Sequence, residues 1–492
     1  MQTEARQASA VLVTTGQGQD LHILLVERSP ALRFFGGYWA FPGGAAEPYD
    51  AQDEALKTLA CGVRELLEET RLLPDSMALD LDDAVALAGR LAEDPAAAGR
   101  WFDALRRVAD SGEFSHVCQI TTPPHLPIRF ATDFVRLHRR EASAPVLDQR
   151  ELVAHRYVRP ADAVAAWRRG EMAIAPPTLL LLELLAEHGE HAFVTHAARH
   201  AEAFDRGDFH PARFSPGIFT APVPTPTLPP ATTTNCYVVG TSDLYVVDPA
   251  AIDPVYQQRL IDKLEALCRE GAEVKGILLT HHHRDHTGAV ARLSRHFNAP
   301  VRAHPLTYPQ LPDPDYVRGA PLGEGDRIEL GIAPDGSPDW HLDVMHTPGH
   351  ARDHLCYLDS RYHAAIVGDM LSTISTIIID PPEGHMATYL RELERLLSRP
   401  MTVLYPAHGP AQRDGHKLIR YYLDHRRQRE QKIKDTLTED PQALDAILPQ
   451  AYGDVAPALR GAALRSLLAG LQKLEEEGFA RTANDGSWRR AA

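Results

Sequence analysis

The sequence predicts a multidomain protein that combines α/β and α+β architecture, and three observations carry that prediction. At 492 residues the chain exceeds what one hydrophobic core serves, and it has room for two to four domains. From about Ala231 to Gln412 short apolar runs alternate with helical runs, the ordering of mixed sheets flanked by helices. On either side the pattern changes, to a hairpin and a glutamate-rich helix before that stretch and to leucine-striped helices after it.

Ala10–Val13 and His22–Arg28 read as two strands joined by the polar turn Gly16–Asp20. Tyr38-Trp39-Ala40-Phe41 reads as an aromatic strand that ends in the turn Pro42-Gly43-Gly44. Ala55 to Leu72 reads as a helix. It carries Glu65, Glu68 and Glu69 at i, i+3, i+4 spacing, so the three carboxylates share a face and repel one another unless a cation sits among them. Magnesium or manganese, with their preference for hard oxygen ligands, fits that need.

The segment Arg64-Glu65-Leu66-Leu67-Glu68-Glu69 after a glycine turn resembles the Nudix hydrolase box, which implies an α/β/α sandwich, magnesium or manganese on Glu65, Glu68 and Glu69, and Glu68 as a catalytic carboxylate. Two positions depart from the box. Arg71 stands where it has glycine, and Leu56 stands where it has a glutamate eight residues before the arginine. Glu47, Asp50, Asp53 and Glu54 lie instead in a longer loop before the helix. That longer loop, with Thr122-Pro123, Arg129-Phe130 and Ala175-Pro176-Pro177-Thr178, resembles the coenzyme A diphosphatase-like branch, which implies cleavage of the pyrophosphate of nucleoside diphosphate-linked substrates. The alternative is a Nudix fold kept as a non-catalytic ligand-binding scaffold.

Asp75 to Gly112 reads as a helical insertion, placed at about 75–118, with Trp101, Phe102 and Leu105 as its packing stripe. Leu152 to Leu185 supplies a strand and a closing helix, which ends the Nudix-like domain near 195. Residues 196–230 turn proline- and threonine-rich (Pro222, Pro224, Pro226, Pro229, Pro230) and read as a connector. His188, His191, His196 and His200 read as a solvated helix face.

The third domain, 231–412, is organised around Thr280-His281-His282-His283-Arg284-Asp285-His286-Thr287-Gly288. A buried strand, Gly276–Leu279, precedes it and a helix, Ala289–Phe297, follows. His281, His283, Asp285 and His286 therefore crowd one tight turn, and imidazole and carboxylate are the ligands zinc favours. Four such ligands are too many for one tetrahedral site that also binds substrate, which suggests two metals side by side. His282 lies between two of them and reads as pointing away.

This run resembles the HxHxDH signature of the metallo-β-lactamase superfamily. His346-Thr347-Pro348-Gly349-His350, Val367-Gly368-Asp369 and Tyr405-Pro406-Ala407-His408-Gly409 resemble its later motifs, and Asn235–Val239 and Val246–Asp248 its first strands. The resemblance implies a four-layer αββα sandwich. One metal would be held by His281, His283 and His350, the other by Asp285, His286 and His408, with Asp369 bridging. It implies two zinc ions, or manganese or iron, and a metal-bound hydroxide as nucleophile, with Asp285 or Asp369 passing a proton. His304, His354 and His425 carry no ligand role, though His354 is close enough to line the pocket.

Residues 413–492 complete the chain. Between Arg413 and Lys434 eight Lys/Arg stand against three Asp/Glu, a local charge of +5 in a chain of net charge −15. Leu464, Leu467, Leu468, Leu471 and Leu474 form one helical face, Gly478 is a helix stop, and Phe479–Arg481 reads as a short strand. Helices followed by a small hairpin resemble a winged-helix-like cap. From Ala231 to Arg481 the chain resembles the beta-lactamase-like protein 2 family, which implies endoribonuclease activity on single-stranded RNA, a phosphodiester substrate. The alternative is a thioester or other carboxylic ester, as in glyoxalase II-like members with the same ligands. The fusion suits related substrates for the two hydrolases, such as nucleotide-capped RNA or a coenzyme A-linked small molecule.

The remaining numbers exclude more than they assign. A composition of 44% apolar and 24% charged residues is that of a globular protein, and the acidic balance argues against wholesale nucleic-acid coating. No run reaches membrane-span length, since Glu183 breaks Leu179–Ala186. Five scattered cysteines without a CxxC pattern suit a reducing cytoplasm. A homodimer is left open by these features.

Overall fold

The computed structural model describes residues 4–32, 35–126, 128–210 and 212–491. The chain divides into two compact units, Met1–Pro216 and Gly217–Ala492.

In the first unit the strands are β1 (Arg6–Thr15), β2 (His22–Arg28), β3 (Trp39–Ala40), β4 (Gly43–Ala45), β5 (Phe114–Thr121), β6 (Phe130–Arg139), β7 (Leu152–Val158) and β8 (Ala212–Ser215). The helices are α1 (Lys57–Thr70), α2 (Leu81–Ala88), α3 (Pro95–Ser111), α4 (Pro160–Arg168) and α5 (Pro176–Asp205). Sheet order is β3-β2-β1-β6-β5, with β4 paired to β1 and β7 to β2. Strands β1 and β6 run parallel, Val11 opposite Val135, while β1 and β2 form the antiparallel hairpin read from the sequence.

Alternation along β1 and β2 sends side chains to two cores. Leu12, Ile23 and Leu25 pack with Trp167 of α4 and Leu180 and Leu184 of α5. Val11, Val13, Leu24 and Val26 pack on the other face with Leu66 of α1. Helix α1 then turns Leu59, Val63 and Leu67 towards Trp101, Phe102 and Leu105 of α3, so the insertion is a layer of core, as its stripe predicted. The result is the expected α/β/α sandwich. Arg71 takes the left-handed conformation (φ 56°) at the end of α1, which accounts for the glycine the Nudix box places there.

The second compact unit begins at Gly217, and 196–230 holds regular structure. Helix α5 continues through Asp205, kinked at Gly189, and β9 (Ile218–Pro224) is a full strand paired antiparallel to β10 (Thr233–Val239). Its apolar residues Ile218, Phe219, Ala221 and Val223 are buried, and that burial outweighs the prolines that read as linker.

Strands β11 (Asp243–Val247), β12 (Glu273–Leu278) and β13 (Val301–Arg302) extend the first sheet in the order β13-β12-β11-β10-β9. The second sheet runs β14-β15-β16-β17-β18-β19, formed by Arg327–Gly331, Trp340–His346, Leu355–Asp359, Ala364–Gly368, Val403–Pro406 and Gln412–Arg413. Tyr237 and Tyr357 join the two sheets, donating from their hydroxyls to Pro406 O and Leu279 O. Helices α6 (Pro254–Arg269), α7 (Arg284–Thr287) and α8 (Val290–Phe297) accompany the first sheet, and α9 (Met386–Leu397) the second.

Helices α10 (Gly415–Thr436), α11 (Leu444–Ala451) and α12 (Arg460–Glu476) and the hairpin of β20 (Ala480–Thr482) and β21 (Trp488–Arg490) close the chain. Leu467, Leu471 and Leu474 bury against Ile433, Ile447 and Trp488. Among the described residues no helix is long and apolar enough to cross a membrane.

Candidate metal centres

The seven histidines and aspartates singled out from the sequence converge at one end of the two facing sheets. Strand β12 ends at Leu278, so His281 and His283 leave it in an extended link rather than as alternate strand residues. Helix α7 then carries Asp285 and His286 round. His350 follows β15, Asp369 follows β17 and His408 follows β18. Gly368 (φ 48°) makes the turn before Asp369; a Cβ there would lie 2.6 Å from His354 Nε2 and 2.9 Å from Thr280 Oγ1.

Two ligand sets form, His281, His283, His350 and Asp369 in one and Asp285, His286 and His408 in the other. In the first, His283 Nδ1 lies 2.9 Å from His281 Nε2 and 3.1 Å from His350 Nε2. His350 Nε2 lies 3.4 Å from Asp369 Oδ2. In the second, His408 Nε2 lies 3.7 Å from Asp285 Oδ2. Asp369 Oδ1 lies 3.3 Å from His408 Nε2 and 3.7 Å from His286 Nε2, so one carboxylate faces both sets.

The outer nitrogens decide where the lone pairs point. Asp248 accepts from Thr280 N (2.8 Å) and Thr280 Oγ1 (2.6 Å). Having given its one proton to Asp248, the Thr280 hydroxyl accepts from His281 Nδ1–H at 3.0 Å. His286 Nδ1–H donates to Asp248 Oδ2 (2.9 Å), His350 Nδ1–H to Ile378 O (2.9 Å), His408 Nδ1–H to Thr233 O (3.0 Å) and His283 Nε2–H to Glu383 Oε2 (3.4 Å). With each ring neutral, every inward nitrogen is thus a lone pair aimed at other lone pairs or at carboxylates. His286 Nε2 and Asp369 Oδ1 are buried with no hydrogen-bond partner among the described residues. Acceptors packed this way repel unless cations lie between them, and the donor set fits divalent metal.

The electrostatics differ between the two ligand sets. Burial, with the neighbouring imidazoles of His286, His283 and His350, holds His281 well below the usual histidine range. Burial opposes charge on His286 as well, but Asp248 and Asp369 outweigh it and hold the group up. Asp369 is held well below the carboxylate range, because His408 and His286 overcome the penalty of burial.

Three partners were not singled out from the sequence. Asp248, at the end of a buried strand, was visible as part of a motif but not as a ligand holder. Asp353 and Glu383 bind His282, which points away from the ligands as expected but is ion-paired rather than simply packed or solvated. His354 does not line the pocket. It is buried, accepting from Asp369 N (3.1 Å) at Nε2 and meeting Thr347 Oγ1 (2.9 Å) at Nδ1. His188 and His196 stack on each other, and no metal-ligating cluster forms around them among the described residues.

In the first unit the repulsion among the α1 glutamates is relieved by a cation of the chain itself. Arg64 is buried, binding Asp50 Oδ2 at 2.9 Å, Glu65 Oε1 at 2.9 Å and Glu68 Oε2 at 3.0 Å. Glu69 accepts from Gly43 N at 2.9 Å. A Cβ on Gly44 would lie 2.5 Å from the Glu65 carboxylate, so only glycine admits that carboxylate here. Burial raises Glu65 to about 7 against the pull of Arg64, and raises Glu69 to about 8 against Gly43 N–H and Arg28. Glu68 is the open one, its side chain 47% exposed. Magnesium or manganese would therefore meet Glu68 first, with Arg64 already neutralising part of the cluster.

The profile of the Metallo-beta-lactamase superfamily matches residues 229–408, that of the Beta-lactamase associated winged helix domain matches 443–488, and that of the NUDIX domain matches 4–172. The chain is 29% identical over 226 residues to "Lactamase-like protein notP" of Aspergillus sp. (strain MF297-2), covering 45% of this chain and 63% of that protein. It is 29% identical over 265 residues to "Beta-lactamase-like protein 2 homolog" of Drosophila melanogaster, covering 51% and 85%. It is 34% identical over 169 residues to "Hydroxyacylglutathione hydrolase" of Hahella chejuensis (strain KCTC 2396), covering 34% and 57%. The chain spans about three fifths of the length of the first and third of these relatives.

Proposed function

We propose, for a chain that joins a Nudix domain to a metallo-beta-lactamase superfamily hydrolase domain and its associated winged helix, that the second unit hydrolyses a thioester or other carboxylic ester at two divalent metals. The observation that carries the hydrolase reading is the convergence of lone pairs on Asp369 from both ligand sets. Zinc suits a site built mainly of imidazole. A bound metal pair lowers the pKa of a water towards about 7 and stabilises charge developing on the substrate oxygen. The residues do the rest. His281, His283 and His350 would hold one metal, and Asp285, His286 and His408 the other. Asp369 faces both sets, and Asp285, 21% exposed in its side chain, faces solvent, where its carboxylate could accept a proton.

The ester reading stands ahead of RNA because five of the eight basic side chains in the segment expected to bind RNA already have partners, and two of the five, Arg426 and Arg429, are buried. Arg426 holds Ile377 O and Arg429 pairs with Asp454 at 2.8 Å. Lys432 also reaches Asp454, Lys434 pairs with Glu430, and Arg427 pairs with Asp424 and Glu394. A relative named as a hydroxyacylglutathione hydrolase, whose substrate by that name is a thioester, supports the same choice. The second reading, phosphodiester hydrolysis in single-stranded RNA, is favoured by the C-terminal winged helix and by the match that spans 85% of the Drosophila protein. For the first unit we propose magnesium- or manganese-dependent cleavage of a nucleoside diphosphate-linked molecule, with Glu68 acting from the exposed face of α1.

The test is incubation of the zinc-loaded protein with an acyl thioester and with labelled single-stranded RNA, each with and without chelator. The expected result is chelator-sensitive thioester cleavage with RNA intact. RNA cleaved while thioester survives would replace the first reading by the second.

A further inference from the structure

Outside the seven ligands, a further group of titratable side chains closes around the one histidine that turns its other nitrogen towards it. His283 directs Nδ1 at His281 and His350, and its Nε2 faces the Glu383 carboxylate at 3.4 Å. The other oxygen of Glu383 lies 3.3 Å from His282 Nε2. His282 Nδ1 lies 3.0 Å from Asp353 Oδ1, and Asp353 Oδ2 accepts from Thr307 Oγ1 at 2.6 Å. His282, His283 and Glu383 form the third group of ligand-type atoms close enough together to hold an ion. They hold none of their own on chemical grounds. His282 gives one nitrogen to Asp353, and His283 already points Nδ1 inward.

We infer that Glu383 is a positioning residue: it clasps His283 by Nε2–H, fixes the tautomer and ring orientation that present Nδ1 as a metal ligand, and is itself held by His282 and Asp353. The inference rests on the two-metal reading above. Three features point to it. Every other imidazole ligand has its outer nitrogen held by a backbone carbonyl or by the buried side chains of Thr280 and Asp248. His283 alone is held by a side chain on the open side, since Glu383 is 35% exposed and His283 31% exposed. A free imidazole at such a position would share its proton between both nitrogens, and the inward tautomer would be only partly populated. The Asp353–His282 pair supplies the second anchor, because a carboxylate held at both oxygens cannot swing away. His282, the histidine between the ligands, thereby serves as the far post of the clasp. A carboxylate behind a metal-bound imidazole also makes the ligand nitrogen more basic, and loss of such partners costs about 10- to 100-fold in metal affinity.

The test compares parent, Glu383→Gln, Glu383→Asp and Asp353→Asn as zinc-loaded full-length proteins titrated with EDTA, with bound zinc per chain as readout. Thermal unfolding of each metal-free protein is the second readout. We expect Glu383→Gln to release one zinc at about 10- to 100-fold lower chelator than the parent. We expect Asp353→Asn to fall in between, Glu383→Asp to restore part of the loss, and the metal-free midpoints to stay level. Retention in Glu383→Gln equal to the parent overturns the inference, and so does a lowered metal-free midpoint with retention unchanged, which marks a purely structural contact. A parent that binds no metal at all strikes the two-metal reading itself, an outcome the same titration reports separately.

Discussion

Replacing Asp248 with Asn probes how the chain sets its ligand tautomers. Oδ1 of Asp248 accepts from Thr280 N, and Oδ2 accepts from both Thr280 Oγ1 and His286 Nδ1–H. Asn keeps the first bond with its carbonyl oxygen and then places its NH2 where Oδ2 stood, so a donor faces the His286 donor. His286 escapes by moving its proton to Nε2, the nitrogen needed for the metal. The bond to a charged acceptor that is lost is worth about 1.5–3 kcal/mol. Losing a carboxylate that orients a ligand imidazole lowers metal affinity about 10- to 100-fold, equivalent to about 1.4–2.8 kcal/mol, so the two magnitudes agree. The assay is chelator competition on Asp248→Asn and parent beside thermal unfolding of both in metal-free form. The account predicts metal retention weakened beyond what any change in metal-free stability explains. Equal retention would refute the tautomer argument, since it would mean that His286 keeps its lone pair inward without Asp248.

Three further predictions concern other parts of the molecule. Asp285→Ala removes a ligand and the proposed proton acceptor while leaving the core intact, so main-site turnover should fall at least about 100-fold with a native circular dichroism spectrum; turnover near the parent's level would contradict the assignment. Glu68→Gln should abolish magnesium-dependent hydrolysis of a nucleoside diphosphate-linked probe without lowering stability, because Glu68 is the exposed member of its cluster; unchanged hydrolysis would remove Glu68 from the reaction, and an inactive parent would favour the scaffold role for that domain. Burial lowers His125 and His210 to about 4 each, so both fold as neutral rings. Their contribution is complete above about 6.5 and is lost as pH falls through about 4. Urea titrations should show stability declining across that window, on the order of a few kcal/mol for the pair, and a double His→Gln variant should flatten the decline.

The gathering of the seven side chains was legible because each motif is local, with its residues grouped at a strand end that the apolar pattern announces. The groups that hold those ligands were not, since Asp248 to His286, Glu383 to His283 and Thr233 to His408 are contacts between segments that only the packed sheets bring together. The α1 glutamates were legible as a charged face, and the repulsion argument rightly demanded a cation, but Arg64 is one residue from Glu65 and supplies much of that charge itself. Prolines at 218–224 read as linker, yet Ile218, Phe219, Ala221 and Val223 bury as a strand, and in the +5 segment the partners Asp454 and Glu394 lie outside the window counted, so the local charge overstates what is unpaired. The leucine face of α12 and the stripe of Trp101, Phe102 and Leu105 read correctly, as periodic burial does when one side of a helix meets a core.

Seven side chains holding two divalent cations through Asp369 is the proposal on which the mechanism depends. Elemental analysis of the purified full-length protein beside Asp369→Ala measures it most directly. The account predicts two transition-metal ions per chain in the parent and a clear loss in the variant with its fold retained. A parent that carries no such metal and cannot be loaded with any would contradict it.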